Sequence, residues 1–207
     1  RRAIEHAVEA GERVHMSLGT GSVTGADSAA ALAGLTTFSH VVEMTAIGDK
    51  PPVVTAGDGA LAVLAQDSLR GAYDRIAAAE RYDPTSGRML GPTPFSYVAA
   101  LPIVLNTEDV SVHMLSGSFG LEAGLAADFG ERRRAFVIGG SEDVRAQALL
   151  YATAEQPLIG EEVFAGGAYM SESSVHKASL LVQDALRVVI ALSILIASFV
   201  ALVEYLA

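Results

Sequence analysis

The chain contains no cysteine. That excludes a disulfide framework, a zinc–thiolate centre and a thiol nucleophile, and it fits a domain held in the cytoplasm. Basic residues are also scarce: 14 Lys and Arg stand against 24 Asp and Glu, a formal charge of −10. Nucleic acid is therefore excluded as a partner, because phosphate binding draws on clustered cations. The one basic run, Arg132-Arg133-Arg134, reads as a solvated face or loop, with an anionic-lipid contact as the alternative. None of the histidines (His6, His15, His40, His113, His176) has a tight metal-type spacing with another. Ser17, Ser22, Ser116 and Ser118 lack the Gly-x-Ser-x-Gly frame of a nucleophile elbow. No internal repeat is visible.

What the chain does have is a long hydrocarbon tail. Val188 to Ala207 reads VVIALSILIASFVALVEYLA, with Glu204 as its only charge. At 1.5 Å per residue such a stretch is about 30 Å long, the thickness of a bilayer core. Residues 188–207 are thus expected to form a transmembrane helix, residues 171–187 a polar hinge (Ser171 to Ser174) and juxtamembrane helix start, and residues 1–170 a water-soluble domain. His176, Lys177 and Arg187 precede the tail and no Lys or Arg follows it, so the positive-inside rule places the domain in the cytoplasm, at the cell (inner) membrane. Arg1-Arg2 suits either the exit of an earlier membrane helix or an ordinary exposed helix start. Glu204, near the far end of the tail, reads as interfacial, with a functional intramembrane acid as the alternative.

Within residues 1–170 helical and extended patterns alternate. Helices are expected over 2–10, 26–47, 60–82, 95–105, 119–129, 142–154 and 160–170, with Pro102 shortening or kinking the fourth and Ser141 capping the sixth. Strands are expected over 14–18, 52–56, 110–115, 135–138 and 157–159, and Asp83 to Pro94 as loop. VVTA and AFVI are apolar on both sides, as central parallel strands are. The pattern predicts an α/β fold, a mostly parallel, Rossmann-like sheet with helices on both faces, plus the C-terminal membrane helix. His15 and His113 fall in strands and are placed to approach each other across the sheet, although strand histidines without a nearby carboxylate are more often packed or surface residues.

The segments GTGSVTG, GDG, SGS and GGS each follow a strand and precede a helix. In a parallel sheet such turns gather at one edge, where helix N-termini can hold an anion. Gly19, Gly21, Gly25, Asp58, Ser118 and Ser141 are accordingly the candidate cofactor-binding residues. The spacing Gly19-x-Gly21-x-x-x-Gly25 departs from GxGxxG, and Asp58 lies much farther on than the roughly 20 residues expected of a ribose-binding acid. The plainer account is that Gly and Ser form tight turns and caps wherever strand meets helix. Asp58, Glu142 and Asp143 would also repel a naked phosphate unless a divalent cation were present. Glu161-Glu162 suits the first turn of a helix. No cofactor, metal ligand set or catalytic residue is expected beyond these, and enzymatic activity is not favoured.

Arg2-Ala3-Ile4-Glu5-His6-Ala7-Val8 with Gly11-Glu12-Arg13-Val14, and Pro157-Leu158-Ile159-Gly160-Glu161-Glu162-Val163-Phe164-Ala165 with Ala168-Tyr169-Met170-Ser171, resemble an uncharacterised family of bacterial and archaeal membrane proteins, the domain of unknown function DUF6754. The resemblance covers most of residues 1–175 and is specific at its two ends. It implies a membrane-tethered cytoplasmic domain, often preceded by a further membrane helix, and brings no activity or site residue with it. The expected role is that of a scaffold or assembly component, with the lipid bilayer and further copies or membrane-complex subunits as partners. The alternatives are a nucleotide- or anion-binding domain using the Gly-rich turns, and an accessory subunit of a membrane transport or energy complex.

Overall fold

A computed structural model describes the backbone of residues 1–170 and 174–206, and their side chains except at 167–180, 204 and 206. The chain divides into two units, Arg1–Met170 and Ser171–Ala207. The first opens with α1 (Arg2–Glu9) and continues β1 (Arg13–Gly19), α2 (Ser28–Thr45), β2 (Val53–Ala56), α3 (Gly59–Arg75), β3 (Gly87–Met89), α4 (Pro94–Thr107), β4 (Val110–Ser118), α5 (Glu122–Arg132), β5 (Phe136–Ser141), α6 (Val144–Thr153), β6 (Gln156–Leu158) and α7 (Glu162–Met170). The strands form one six-stranded sheet, ordered β3-β2-β1-β4-β5-β6. Every neighbouring pair is parallel. This is the order of doubly wound dinucleotide-binding folds, whose direction of winding reverses between β1 and β4.

The central strands are buried on both faces, so side-chain alternation divides them between two cores. Val14, Met16 and Leu18 of β1, Val54 and Ala56 of β2 and Met114 of β4 pack with α1, α2 and α3 around Ile4, Phe38, Val42, Leu61 and Leu69. Leu115 of β4 and Val137 of β5 meet α4, α5 and α6 at Tyr97, Leu101, Phe119, Ala126 and Leu150. His15 and Ser17 point to this second face, and both are fully buried.

Local chemistry sets the boundaries. Asp58 caps α3 by accepting from the Leu61 amide at 2.9 Å. Thr93 and Ser96 form a capping box at the start of α4, with Pro94 in the first turn. The helix then runs through Pro102 to Thr107, longer than the proline alone predicts, because Tyr97, Val98, Leu101, Val104 and Leu105 bury one continuous face. By contrast α3 stops at Arg75, not at Tyr82: Ala77 adopts φ 53° and the Ala78 amide turns back to the Tyr73 carbonyl. The expected loop at 83–94 contains β3, which pairs Val54 with Gly87 and Ala56 with Met89. With no apolar run of its own, β3 is held by backbone pairing and by Gln66 Nε2 donating to the Gly87 carbonyl at 2.8 Å. The α6 cap is Asp143, whose carboxylate accepts from the Arg145 amide; Ser141 ends β5 instead.

The second unit consists of α8 (Ser174–Leu206), a single helix of 33 residues. Its Leu181–Val203 stretch, 23 residues with a mean hydropathy of 2.6, is long and apolar enough to cross a membrane. The expected span 188–207 overlaps this stretch over residues 188–203. Of the expected hinge Ser171–Ser174, residues 171–173 lie outside the described residues, as do the side chains of Tyr169, Met170, His176, Lys177 and Glu204, while Ser174 opens α8.

Candidate functional site

The turns that follow β1, β2, β4 and β5 gather at one edge of the sheet. β1 ends at Gly19, with φ 74°. The Thr20 amide donates to the Ser118 carbonyl at 3.1 Å, and the Gly57 amide to the Gly19 carbonyl at 2.8 Å. Pairing thus continues past the strands and ties the three turns together. The glycines are needed for this closeness. A Cβ on Gly19 would lie 2.0 Å from the Ser118 carbonyl oxygen, one on Gly21 2.6 Å from Ser118 Cβ, and one on Gly25 2.4 Å from Asp27 Oδ1. The space beside these glycines is filled by the chain's own Ser118 and Asp27. Asp27 stands immediately before α2, where a phosphate would meet the helix dipole, and accepts from the Ser22 amide at 3.3 Å.

Ser118 Oγ donates to Glu142 Oε1 at 2.6 Å, and Ser141 Oγ lies 3.1 Å from Glu142 Oε2. Ser141 also accepts from the Phe119 amide at 3.1 Å and donates to the Phe119 carbonyl at 2.8 Å, stapling the end of β5 to the turn after β4. The structure therefore brings Gly19, Gly21, Ser118 and Ser141 together, with Gly25 against Asp27 and Asp58 engaged in capping α3. Among the described residues no three His, Asp or Glu side chains converge to hold a metal ion. Asp143, paired with Arg145, is held below the usual carboxylate range by hydrogen bonds from that side chain and its amide.

Beneath this edge runs a buried polar chain, on the face covered by α4 and α5. His15 Nδ1 and His113 Nδ1 are 2.8 Å apart, with ring centroids separated by 4.8 Å and ring planes inclined by 18°. His15 Nε2 lies 3.0 Å from Thr55 Oγ1, which is 2.7 Å from the Tyr97 hydroxyl, which in turn is 2.5 Å from Ser17 Oγ. All five side chains are fully buried. Burial, followed by the neighbouring His113 and then Arg88, pushes His15 well below the usual imidazole range. Burial lowers His113 to about 4, although the Ala126 backbone favours its proton. Burial raises Tyr97 to about 12, against the opposing pull of Ser17, Thr55 and the Gly19 backbone. The two rings are placed as the strand pattern allowed. Tyr97 and Thr55 were not among the expected polar residues, because each sits in an apolar segment; their one visible signal is a hydroxyl at an inward position.

No curated protein and no solved structure matches the chain. A family model does match, over residues 1–207, and the chain belongs to that family, the domain of unknown function DUF6754.

Proposed function

We propose that this protein is a membrane-anchored α/β domain, with its globular part on the cytoplasmic side of the inner membrane, that acts as a structural and assembly component of a homo-oligomer or larger membrane complex. The observation that carries this reading is the outward face of α6. Val144, Ala148 and Tyr151 recur at helical spacing and line, with Gln147 and Ile159, a largely apolar groove of about 400 Å³. Val144 is 75% and Tyr151 74% exposed, an arrangement suited to a partner surface. The apolar Leu181–Val203 helix supplies the tether, and Lys177 before it and Arg187 within its N-terminal third, with no Lys or Arg after them, support the cytoplasmic orientation. The test is mass measurement of the chain extracted from native membranes, beside a Val144→Asp, Tyr151→Glu double variant. Assembly in the parent and its loss in the variant support the reading; a monodisperse monomer in the parent refutes it. Because the chain has no cysteine, a single introduced cysteine reports sidedness by labelling in intact cells.

A second reading is binding of a nucleotide or small anion at the edge between β1 and β4, favoured by the strand order and by the gathering of the Gly19 turn, Ser118 and Ser141 there. Thermal-shift measurements with nucleotides and Mg²⁺ test it. Stabilisation that changes in Glu142→Gln supports the reading, and no stabilisation at millimolar ligand removes it.

A further inference from the structure

Between Arg88 and Glu108 the chain carries no Asp, Glu, Lys or Arg, yet α4, which fills most of this stretch, lies on the surface. Its inward stripe, with Tyr97, Leu101 and Leu105, is buried. Its outward stripe is Phe95, Ala99 and Ile103, spaced four residues apart on one helical face. Phe95 is 70% and Ile103 66% exposed. α4 packs beside α5, and α5 beside α6, so the three helices form one layer with α5 in the middle. α5 adds the exposed Leu121, at its N-cap, and Leu125, one turn on. α6 adds Val144, Ala148 and Tyr151. A single exposed apolar side chain is ordinary, but three neighbouring helices that share one apolar outward face form an interaction surface.

The charges on this layer are satisfied close at hand. Asp128 binds Arg132 and Asp143 binds Arg145, each at 2.7 Å, and the buried Glu122 accepts from the Gly120 amide. Glu131 stands in the last turn of α5 beside Ala152 and Thr153, away from Leu121 and Leu125. The helices on the other face of the sheet differ: α1 exposes Arg2, Glu5 and Glu9, and α3 exposes Asp67, Arg70, Asp74 and Arg75. The chain has a net charge of −10, so two copies repel wherever uncompensated acids face each other. The α4–α5–α6 face is where they meet with least repulsion, and depletion of charge is the mark of an interface centre. A bilayer surface is the poorer occupant. A face that binds anionic headgroups carries free Lys or Arg along its rim, and the cations here are held by Asp128 and Asp143.

We propose that a second copy of this chain docks on the outward face of the α4–α5–α6 layer, about a twofold axis that passes over α5. The proposal rests on the assembly reading above and names its partner and geometry. Self-pairing of a three-helix layer puts the axis over the middle helix, so Leu125 of one copy comes close to Leu125 of the other. Where the axis runs along α5, α4 meets α6 of the other copy; where it crosses α5, each outer helix meets its own counterpart. Both outer helices carry a large–small–large stripe, Phe95–Ala99–Ile103 and Val144–Ala148–Tyr151, so the bulky side chains of one copy pack over the alanines of the other. Helices of 14, 11 and 10 residues laid side by side present a face on the order of 500 Å² in projection, and more in accessible surface, close to the roughly 800 Å² per partner of a stable interface.

The test is cross-linking of the full chain in native membranes, beside the mass of the parent. The chain has no cysteine, so Leu125→Cys places a single thiol near the axis, and Val63→Cys places one at an exposed position of α3 on the opposite layer. A short bis-maleimide should link Leu125→Cys chains to one another at least about tenfold more than Val63→Cys chains, because the interface raises the local thiol concentration. Adding Phe95→Asp and Ile103→Asp to the Leu125→Cys chain should weaken assembly by at least about tenfold, read as loss of the linked dimer, with the unfolding midpoint unchanged. If the parent assembles but Leu125→Cys links no more than Val63→Cys, this interface is overturned and the assembly reading stands. A monomeric parent overturns both. Quenching of a bimane label at position 125 by spin-labelled lipid, in place of linking, assigns the face to the bilayer and also overturns the proposal. The linking comparison uses two exposed positions and stands even if the aspartate variant does not fold.

Discussion

Tyr97 of α4 places its hydroxyl 2.7 Å from Thr55 Oγ1 of β2, fastening a helix to the sheet by a polar contact inside an apolar core. The same hydroxyl contacts Ser17 Oγ at 2.5 Å and donates to the Thr55 carbonyl at 3.2 Å. Tyr97→Phe keeps the ring against Phe119 but leaves Thr55 and Ser17 short of a partner. A loss of about 1–3 kcal/mol in urea-unfolding free energy is expected. A change within the error of the titration would mean that the hydroxyls re-pair without cost.

Stability should fall with acid. His15 and His113 are held neutral in the fold, with His113 lowered from 6.5 to about 4. Below pH 6.5 the unfolded chain binds protons that the folded chain refuses. The stabilisation is therefore complete above that value and is lost progressively as pH falls toward 4. His113 alone accounts for a loss on the order of 3 kcal/mol across this window. Urea titrations at several pH values, with His113→Gln as control, measure it.

Gly19→Ala should be among the most damaging single substitutions. Its φ of 74° disfavours a side chain, and the added Cβ would lie 2.0 Å from the Ser118 carbonyl oxygen. Strain and steric overlap together should cost more than about 3 kcal/mol. Circular-dichroism melts would show the difference. A melting point within a degree or two of the parent would mean that the β1 and β4 turns can separate freely.

Glu108 joins Arg13 of β1 to Arg88 of β3, with its own side chain 13% exposed and those of its partners 22% and 29%. Glu108→Gln should destabilise by about 1–3 kcal/mol, less than for fully buried pairs because solvent reaches both guanidiniums. Weak sensitivity of that loss to added salt would distinguish a desolvated cluster from a surface pair.

Tyr151→Glu, in contrast, should leave unfolding free energy within about 0.5 kcal/mol, since the ring is 74% exposed and covers no core. Its expected effect is on assembly in membranes. Equal loss of fold and assembly would assign the side chain a structural role.

Much of this was open to a reader of the amino-acid order. Alternating apolar strands and Ala-rich helices specify a parallel α/β sheet because each element must hide a face of its own period. The membrane-length helix follows from hydropathy alone, and the Gly- and Ser-rich turns mark strand ends because few other residues make such turns. Three things were decided by the tertiary structure. β3 exists because β2 offers unpaired backbone, which leaves no trace in the side chains of Gly87–Met89. The close approach at Gly19, Gly21 and Gly25 is met by Ser118 and Asp27, although a Gly-rich turn between strand and helix also permits a cradle for a ligand. The strand pattern allowed His15 and His113 to approach, but their joining with Thr55, Tyr97 and Ser17 depends on strand register and on where α4 crosses the sheet. Those are long-range relations, and local propensity carries no record of them.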